Sequence, residues 1–179
     1  MLRKTARGFT LIELLIVIAV LGILAVAVLS AINPIEQINR SRDTGSKSDA
    51  EQLIGAVDRF YAISGYYPWL TGSGVTADAL VWTTVGTGWT NGTTGVLQLL
   101  SSSGTEEVKE SFTDRITDAG YNSLYVFKSS GQGTSMYVCF LPKSRAFETE
   151  ALTRCTGGLP DDLDDAFVCA AGNELVCRP

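Results

Sequence analysis

One carboxylate, Glu13, stands inside an otherwise uncharged run from Phe9 to Ile32. At hydrocarbon depth a charge costs roughly 2.5–3.5 kcal/mol on insertion scales, so Glu13 needs a partner. Phe9 and Glu13 are spaced i, i+4 and share a helix face. If Phe9 were the first residue, its free amine would oppose the helix dipole, and a carboxylate one turn on would offset both charges. No other partner for Glu13 is visible in this chain. The other chemistry-bearing residues are few. Histidine is absent, which removes histidine nucleophile activation, general bases and metal ligands together. Cys139, Cys155, Cys169 and Cys177 all lie in the last quarter. An even number in an exported domain reads as two disulfides, and no C-x-x-C pair argues for zinc.

These residues must be held by two kinds of element. As a helix rising roughly 1.5 Å per residue, Phe9 to Ile32 reaches about 36 Å, enough to cross a ~30 Å hydrocarbon core. Arg3, Lys4 and Arg7 precede it and hold the amino end in the cytoplasm, so the rest of the chain faces outward. Asn33-Pro34 ends or kinks this segment. Beyond it Ile35 and Ile38 share a face, and Ala50, Leu53, Ile54, Val57, Phe60 and Tyr61 follow helical spacing. The polar stretch Arg40 to Lys47 lies between them. The expectation is one long helix from Phe9 to about Ser64, near 84 Å. Gly45 is a weak point in it, and Ser48 with Glu51 offers a capping box for a break nearby. Gly65 and Pro68 stop it.

The order Gly8-Phe9-Thr10-Leu11-Ile12-Glu13, behind a basic head and ahead of an apolar run, resembles the processing and assembly signature of type IV prepilins and pseudopilins. The strings Asn33-Pro34-Ile35-Glu36-Gln37-Ile38, Arg40-x-Arg42-Asp43 and Tyr61-x-x-x-Gly65-x-Tyr67-Pro68 extend the resemblance to about Pro68. It implies that a membrane prepilin peptidase cuts after Gly8 and N-methylates Phe9. It also implies that Glu13 neutralises a neighbouring subunit's amino terminus as a filament grows. A plain signal anchor, or a secretory signal cut near Leu29-Ser30-Ala31, explains neither the glycine nor the carboxylate, and the apolar run is too long for an ordinary signal peptide.

The 179 residues carry a net charge of −5, and loss of residues 1–8 takes Arg3, Lys4 and Arg7 and leaves −8. That balance argues against nucleic acid as the main partner. Residues 70–120 are rich in glycine, threonine and serine, with Trp69, Trp82 and Trp89 spaced around turns. Val96–Leu100 and Thr105–Phe112 read as short helices. Asn91-Gly92-Thr93 has the form of a glycosylation sequon, and its glycine favours a plain turn. Tyr121–Lys128 and Thr134–Leu141 flank a glycine-rich turn and read as an antiparallel hairpin. Arg145–Thr153 reads as a helix. Ala166–Ala170 and Leu175–Cys177 read as a second hairpin, which sets Cys169 opposite Cys177 and leaves Cys139 for Cys155; four cysteines allow three pairings, and this is the one chosen. Asp161, Asp162, Asp164 and Asp165 offer oxygen ligands of the kind calcium takes, and some pseudopilins hold calcium in this region. The spacing is not an EF-hand loop, and the competing reading is a solvated acidic turn.

The expected architecture is α+β. A cleaved leader (1–8), a transmembrane and filament-core helix (9–32) and its amphipathic continuation (33–64) precede a globular head (65–179) with a small antiparallel sheet and a disulfide-closed C-terminal region. Leu53, Ile54, Val57, Phe60 and Tyr61 are expected to pack on the strands. The expected function is a non-enzymatic structural subunit that waits in the cytoplasmic membrane as a single-pass protein and enters an extracellular helical homopolymer. Its partners are other copies, the prepilin peptidase and the membrane assembly machinery; calcium is the one cofactor considered. The alternatives are a pseudopilin of a type II secretion or DNA-uptake system, and a membrane-anchored adhesin or DNA-binding minor pilin. No basic aromatic patch is evident for the last.

Overall fold

A computed structural model describes residues 8–31, 33–73, 78–102, 105–131 and 133–179. Arg3, Lys4 and Arg7 of the basic head lie outside them. The chain divides into two units, residues 1–37 and 38–179.

In the first unit, α1 spans Leu11–Ala31. A second helix, α2, spans Pro34–Ser64, and its first turn belongs to this unit. The single helix expected from Phe9 to Ser64 is therefore two, with Ile32 between them outside the described residues. The cause is Pro34, which has no N–H to give and disfavours helical backbone at Asn33. Pro34 instead takes the first helical position of α2, where its missing donor costs nothing, and Asn33 Oδ1 accepts the Glu36 N–H at 3.3 Å as the cap.

In the second unit, α2 passes through Gly45 unbroken. Ala50, Leu53, Val57 and Phe60 recur at helical spacing and are buried. Ile54 is half-buried against the same cluster, but Tyr61, expected in the core, is exposed. It stacks on Tyr67 instead, with ring centroids 4.6 Å apart. Gly65 ends the helix at φ 75°, a backbone that glycine adopts without a Cβ penalty.

Four antiparallel strands follow in the order β1-β2-β3-β4: Leu80–Thr84, Leu124–Lys128, Met136–Phe140 and Val176–Arg178. β1 lies in a stretch whose spacing showed no strand. Leu124, Val126, Val138, Phe140 and Val176 join the α2 residues in one core. The alternate residues Tyr137, Cys139 and Cys177 face a second, smaller cluster with Leu163, Val168 and Leu175. So both faces of the sheet are covered, one by α2 and one by the C-terminal segment. Lys128 is buried at the end of β2, and Asp78 Oδ2 at 2.8 Å and Thr134 Oγ1 at 2.7 Å satisfy its ammonium.

The connectors correct two further expectations. Helix α3 is Val96–Ser101, as the spacing suggested, but the helix expected from Thr105 lies later, as α4, Glu110–Thr117. Glu106 has φ 55°, outside the right-handed helical region, and the apolar face of α4 is Phe112 with Ile116. Helix α5 is Arg145–Gly157. Ala166–Ala170 is not a strand: Asp164 Oδ1 accepts the Ala166 N–H at 3.1 Å and starts the short helix α6, Asp165–Val168.

That helix changes the disulfides. With no second hairpin, Cys169 has no strand opposite Cys177. Cys177 in β4 pairs in register with Cys139 in β3, their Cα atoms 4.0 Å apart, and bonds to it. Cys169 bonds Cys155 at the end of α5. The pairing 139–155 with 169–177 is replaced by 139–177 with 155–169.

Candidate assembly site

Helix α1 begins at Leu11, which makes Thr10 its N-cap and Glu13 its third residue. The Thr10 N–H and hydroxyl both donate to Glu13 Oε2 at 2.8 Å, and the Glu13 N–H donates back to Thr10 Oγ1 at 3.3 Å. This reciprocal capping box satisfies two donors at the helix start. Glu13 thus has a partner in its own chain, one that the i, i+4 pairing with Phe9 does not reveal. Its Oε1 takes no hydrogen bond among the described residues. Phe9 is 90% exposed beside it, and Gly8 next to it would have space for a Cβ.

The large apolar side chains of α1 from Leu11 to Leu29 are all exposed. Leu11–Ser30 is long and apolar enough to cross a membrane, by length and composition. So apolar and so exposed a helix needs lipid or other helices around it. Exposed apolar surface, a capped carboxylate and an exposed Phe9 therefore meet at one end of one helix.

Among the described residues the head shows no comparable grouping. Asp162 accepts the Tyr137 hydroxyl at 2.6 Å and the Ser135 N–H at 2.9 Å. These bonds, the tyrosine first, hold its carboxyl below the usual range. Burial, with Asp162 alongside, pushes Tyr137 up to about 12. Asp164 caps α6 and accepts the Trp82 indole N–H at 3.2 Å. The acidic run therefore latches the C-terminal segment to the sheet. Among the described residues no three acidic, cysteine or histidine side chains come together to hold a metal. The calcium considered for Asp161, Asp162, Asp164 and Asp165 gains no support here, since the oxygens of Asp162 and Asp164 already accept these protein bonds. Asn91 Oδ1 accepts the Thr93 and Thr94 N–H groups, the plain turn that its glycine favours.

One residue of the head carries more than its sequence suggested. Asp43, inside the polar stretch of α2, is fully buried. It accepts the Lys143 and Ser144 N–H groups, the Ser144 hydroxyl and the Asn122 amide. A lone aspartate among basic residues was its only signal.

Residues 3–29 match the family model described as the prokaryotic N-terminal methylation motif. The chain is also similar to the fimbrial protein EcpC of Eikenella corrodens, 41% identical over 68 residues. That stretch covers 38% of this chain and 43% of the relative, so the chain spans less than half the length of this curated relative. No solved structure matches.

Proposed function

We propose that this type IV pilin-like protein, bearing the N-terminal methylation motif, is a structural subunit of a surface filament. In this reading a membrane peptidase cuts between Gly8 and Phe9 and N-methylates Phe9. The chain waits in the cytoplasmic membrane with its head outside and is then extracted into a helical homopolymer by the assembly machinery. The observation that carries the reading is the exposed apolar α1, which ends in the Thr10–Glu13 cap beside an exposed Phe9.

Lipid is as apolar as leucine, so leaving it for a bundle of identical helices gains little from hydrophobicity. Packing between helices and the pairing of Glu13 with a neighbour's amine supply the preference. Oε1 receives that amine while Oε2 keeps the helix start capped. Head-to-tail contacts that do not close build an open polymer.

Shearing intact cells and probing the supernatant for filaments of this subunit tests the reading. Filaments are expected in the sheared fraction. A chain found only in the membrane under conditions where the assembly machinery is expressed would overturn it.

A further inference from the structure

Gly45 sits inside α2, where a glycine weakens the helix relative to nearly any other residue. No neighbour requires it: a Cβ built there would meet nothing within 4 Å. What lies beside it is a cavity of about 330 Å³, at the small end of ligand sites. Ser41 and Arg42 on α2 line this cavity, with Asp118, Tyr121 and Asn122 from the segment after α4.

The lining offers both acceptors and donors. Asn122 is 6% exposed, and its Nδ2 donates to Asp43 Oδ1 at 3.0 Å. Its Oδ1 has no hydrogen-bond partner among the described residues. A buried acceptor left unpaired is costly, and a donor arriving through the cavity removes that cost. Asp118 is held in place by the Gly120 N–H, which donates to its Oδ1 at 2.7 Å. A Cβ at residue 120 would stand 2.9 Å from that oxygen, so glycine there is what lets the carboxylate sit where it does. Arg42 and Tyr121 are exposed.

These groups select a ligand by its charge and by its hydrogen bonds. A phosphate or carboxylate would face Asp118 and the Asn122 oxygen. An ammonium would face Arg42. One anionic and one cationic side chain leave the lining without net charge, which favours a neutral ligand over either ion. That ligand must donate to Asp118 and Asn122 and accept from Arg42. A hydroxyl does both. Several hydroxyls on one rigid ring do so with little conformational entropy to lose. The exposed Tyr121 ring adds an apolar face for the ring's C–H surface. A pyranose has all of these properties.

We propose that the cavity beside Gly45 binds a single neutral pyranose. Asp118 and Asn122 accept its hydroxyls, Arg42 donates to them, and Tyr121 stacks on the ring. Gly45 keeps the space open. The site lies wholly within the second unit and stands whether or not the chain enters filaments.

The test uses the full chain in phosphatidylcholine nanodiscs, which carry no sugar, and saturation-transfer NMR. The probes are the methyl pyranosides of glucose, galactose, mannose and N-acetylglucosamine. At least one is expected to bind in the millimolar range and to give no signal with empty discs. Gly45→Gln fills the cavity with a helix-favouring side chain. It is expected to weaken binding on the order of tenfold while its denaturant midpoint stays at or above that of wild type, so the loss is not unfolding. Tyr121→Ala, which removes an exposed ring, is expected to weaken binding similarly. Inorganic phosphate and methylammonium are not expected to displace the sugar. No signal above empty discs from any of the four pyranosides overturns the proposal. So does wild-type affinity in either variant, which places the sugar elsewhere. Displacement by phosphate or methylammonium also overturns it, since the cavity is then an ion site.

Discussion

Asp43 and Ser144 stand 101 residues apart in sequence, yet Asp43 Oδ2 accepts the Ser144 N–H at 2.8 Å and its hydroxyl at 2.6 Å. The bond pins the start of α5 to α2, because the buried carboxylate does for Ser144 what a side-chain cap does at other helix starts. Replacing Asp43 by alanine leaves buried donors on Lys143, Ser144 and Asn122 without an acceptor. The expected loss is about 2–5 kcal/mol in denaturant unfolding of the full chain in detergent. Asp43→Asn, which keeps one acceptor, is expected to lose less. An alanine variant within about 0.5 kcal/mol of wild type would show that the contact adds nothing beyond an ordinary surface change.

The Tyr137–Asp162 latch sets a window of pH. Asp162 is held below its usual value, so its contribution is present above the unfolded carboxyl value of 3.8 and is lost as pH falls through the folded one. Tyr137 is pushed up from 10.0 to about 12, so its contribution is present below pH 10 and is lost as pH rises toward 12. Asp49 works in the opposite sense at the acid end, since burial raises its carboxyl despite Arg115. A comparison of variants therefore isolates the latch. Relative to wild type, Asp162→Asn is expected to flatten the acid limb of the stability profile, and Tyr137→Phe the alkaline one. Unchanged limbs in both variants would refute the assignment.

Non-reducing peptide mapping is expected to recover Cys139 with Cys177 and Cys155 with Cys169. Serine at both positions of the longer loop is expected to cost about 4 kcal/mol, and of the shorter about 3 kcal/mol, on the chain-entropy account. Recovery of Cys169 joined to Cys177 would contradict the register of β3 and β4.

The N-terminal segment and the head were legible in the sequence to different degrees. The basic head, Gly8, the apolar run and Glu13 are read along the chain, so no folding knowledge is needed to find them. The β2–β3 hairpin was equally plain, because alternation and a glycine turn are local signals. What escaped was set by contacts distant in sequence. β1 is a short edge strand whose partner lies some forty residues on. The disulfides were misassigned for a local reason: Asp164 caps a helix where alternating residues suggested a strand. The burial of Asp43 stayed hidden in the polar stretch Arg40 to Lys47 because nothing near it in sequence announces Lys143 and Ser144.

Glu13→Val removes the capping carboxylate and the acceptor for a neighbour's amine together. The variant is expected to insert, since it is more apolar than the parent, and to enter filaments at a small fraction of the wild-type yield. Glu13→Gln separates the two roles: it can still cap Thr10 but carries no charge for an amine. It is expected to insert normally and to fail in assembly nearly as badly. Wild-type filament yield from Glu13→Gln would show that the cap, not the charge, is what assembly uses.

The central claim is that the chain is processed at the junction of its basic head and its apolar helix. Mass spectrometry of the protein purified from membranes and from sheared filaments tests this most directly. The expected N-terminal peptide begins at Phe9 and is heavier than the unmodified sequence by one methyl group. An N-terminus at Met1, or one beginning after Ala31, would contradict the account and leave an uncleaved anchor or a secreted protein in its place.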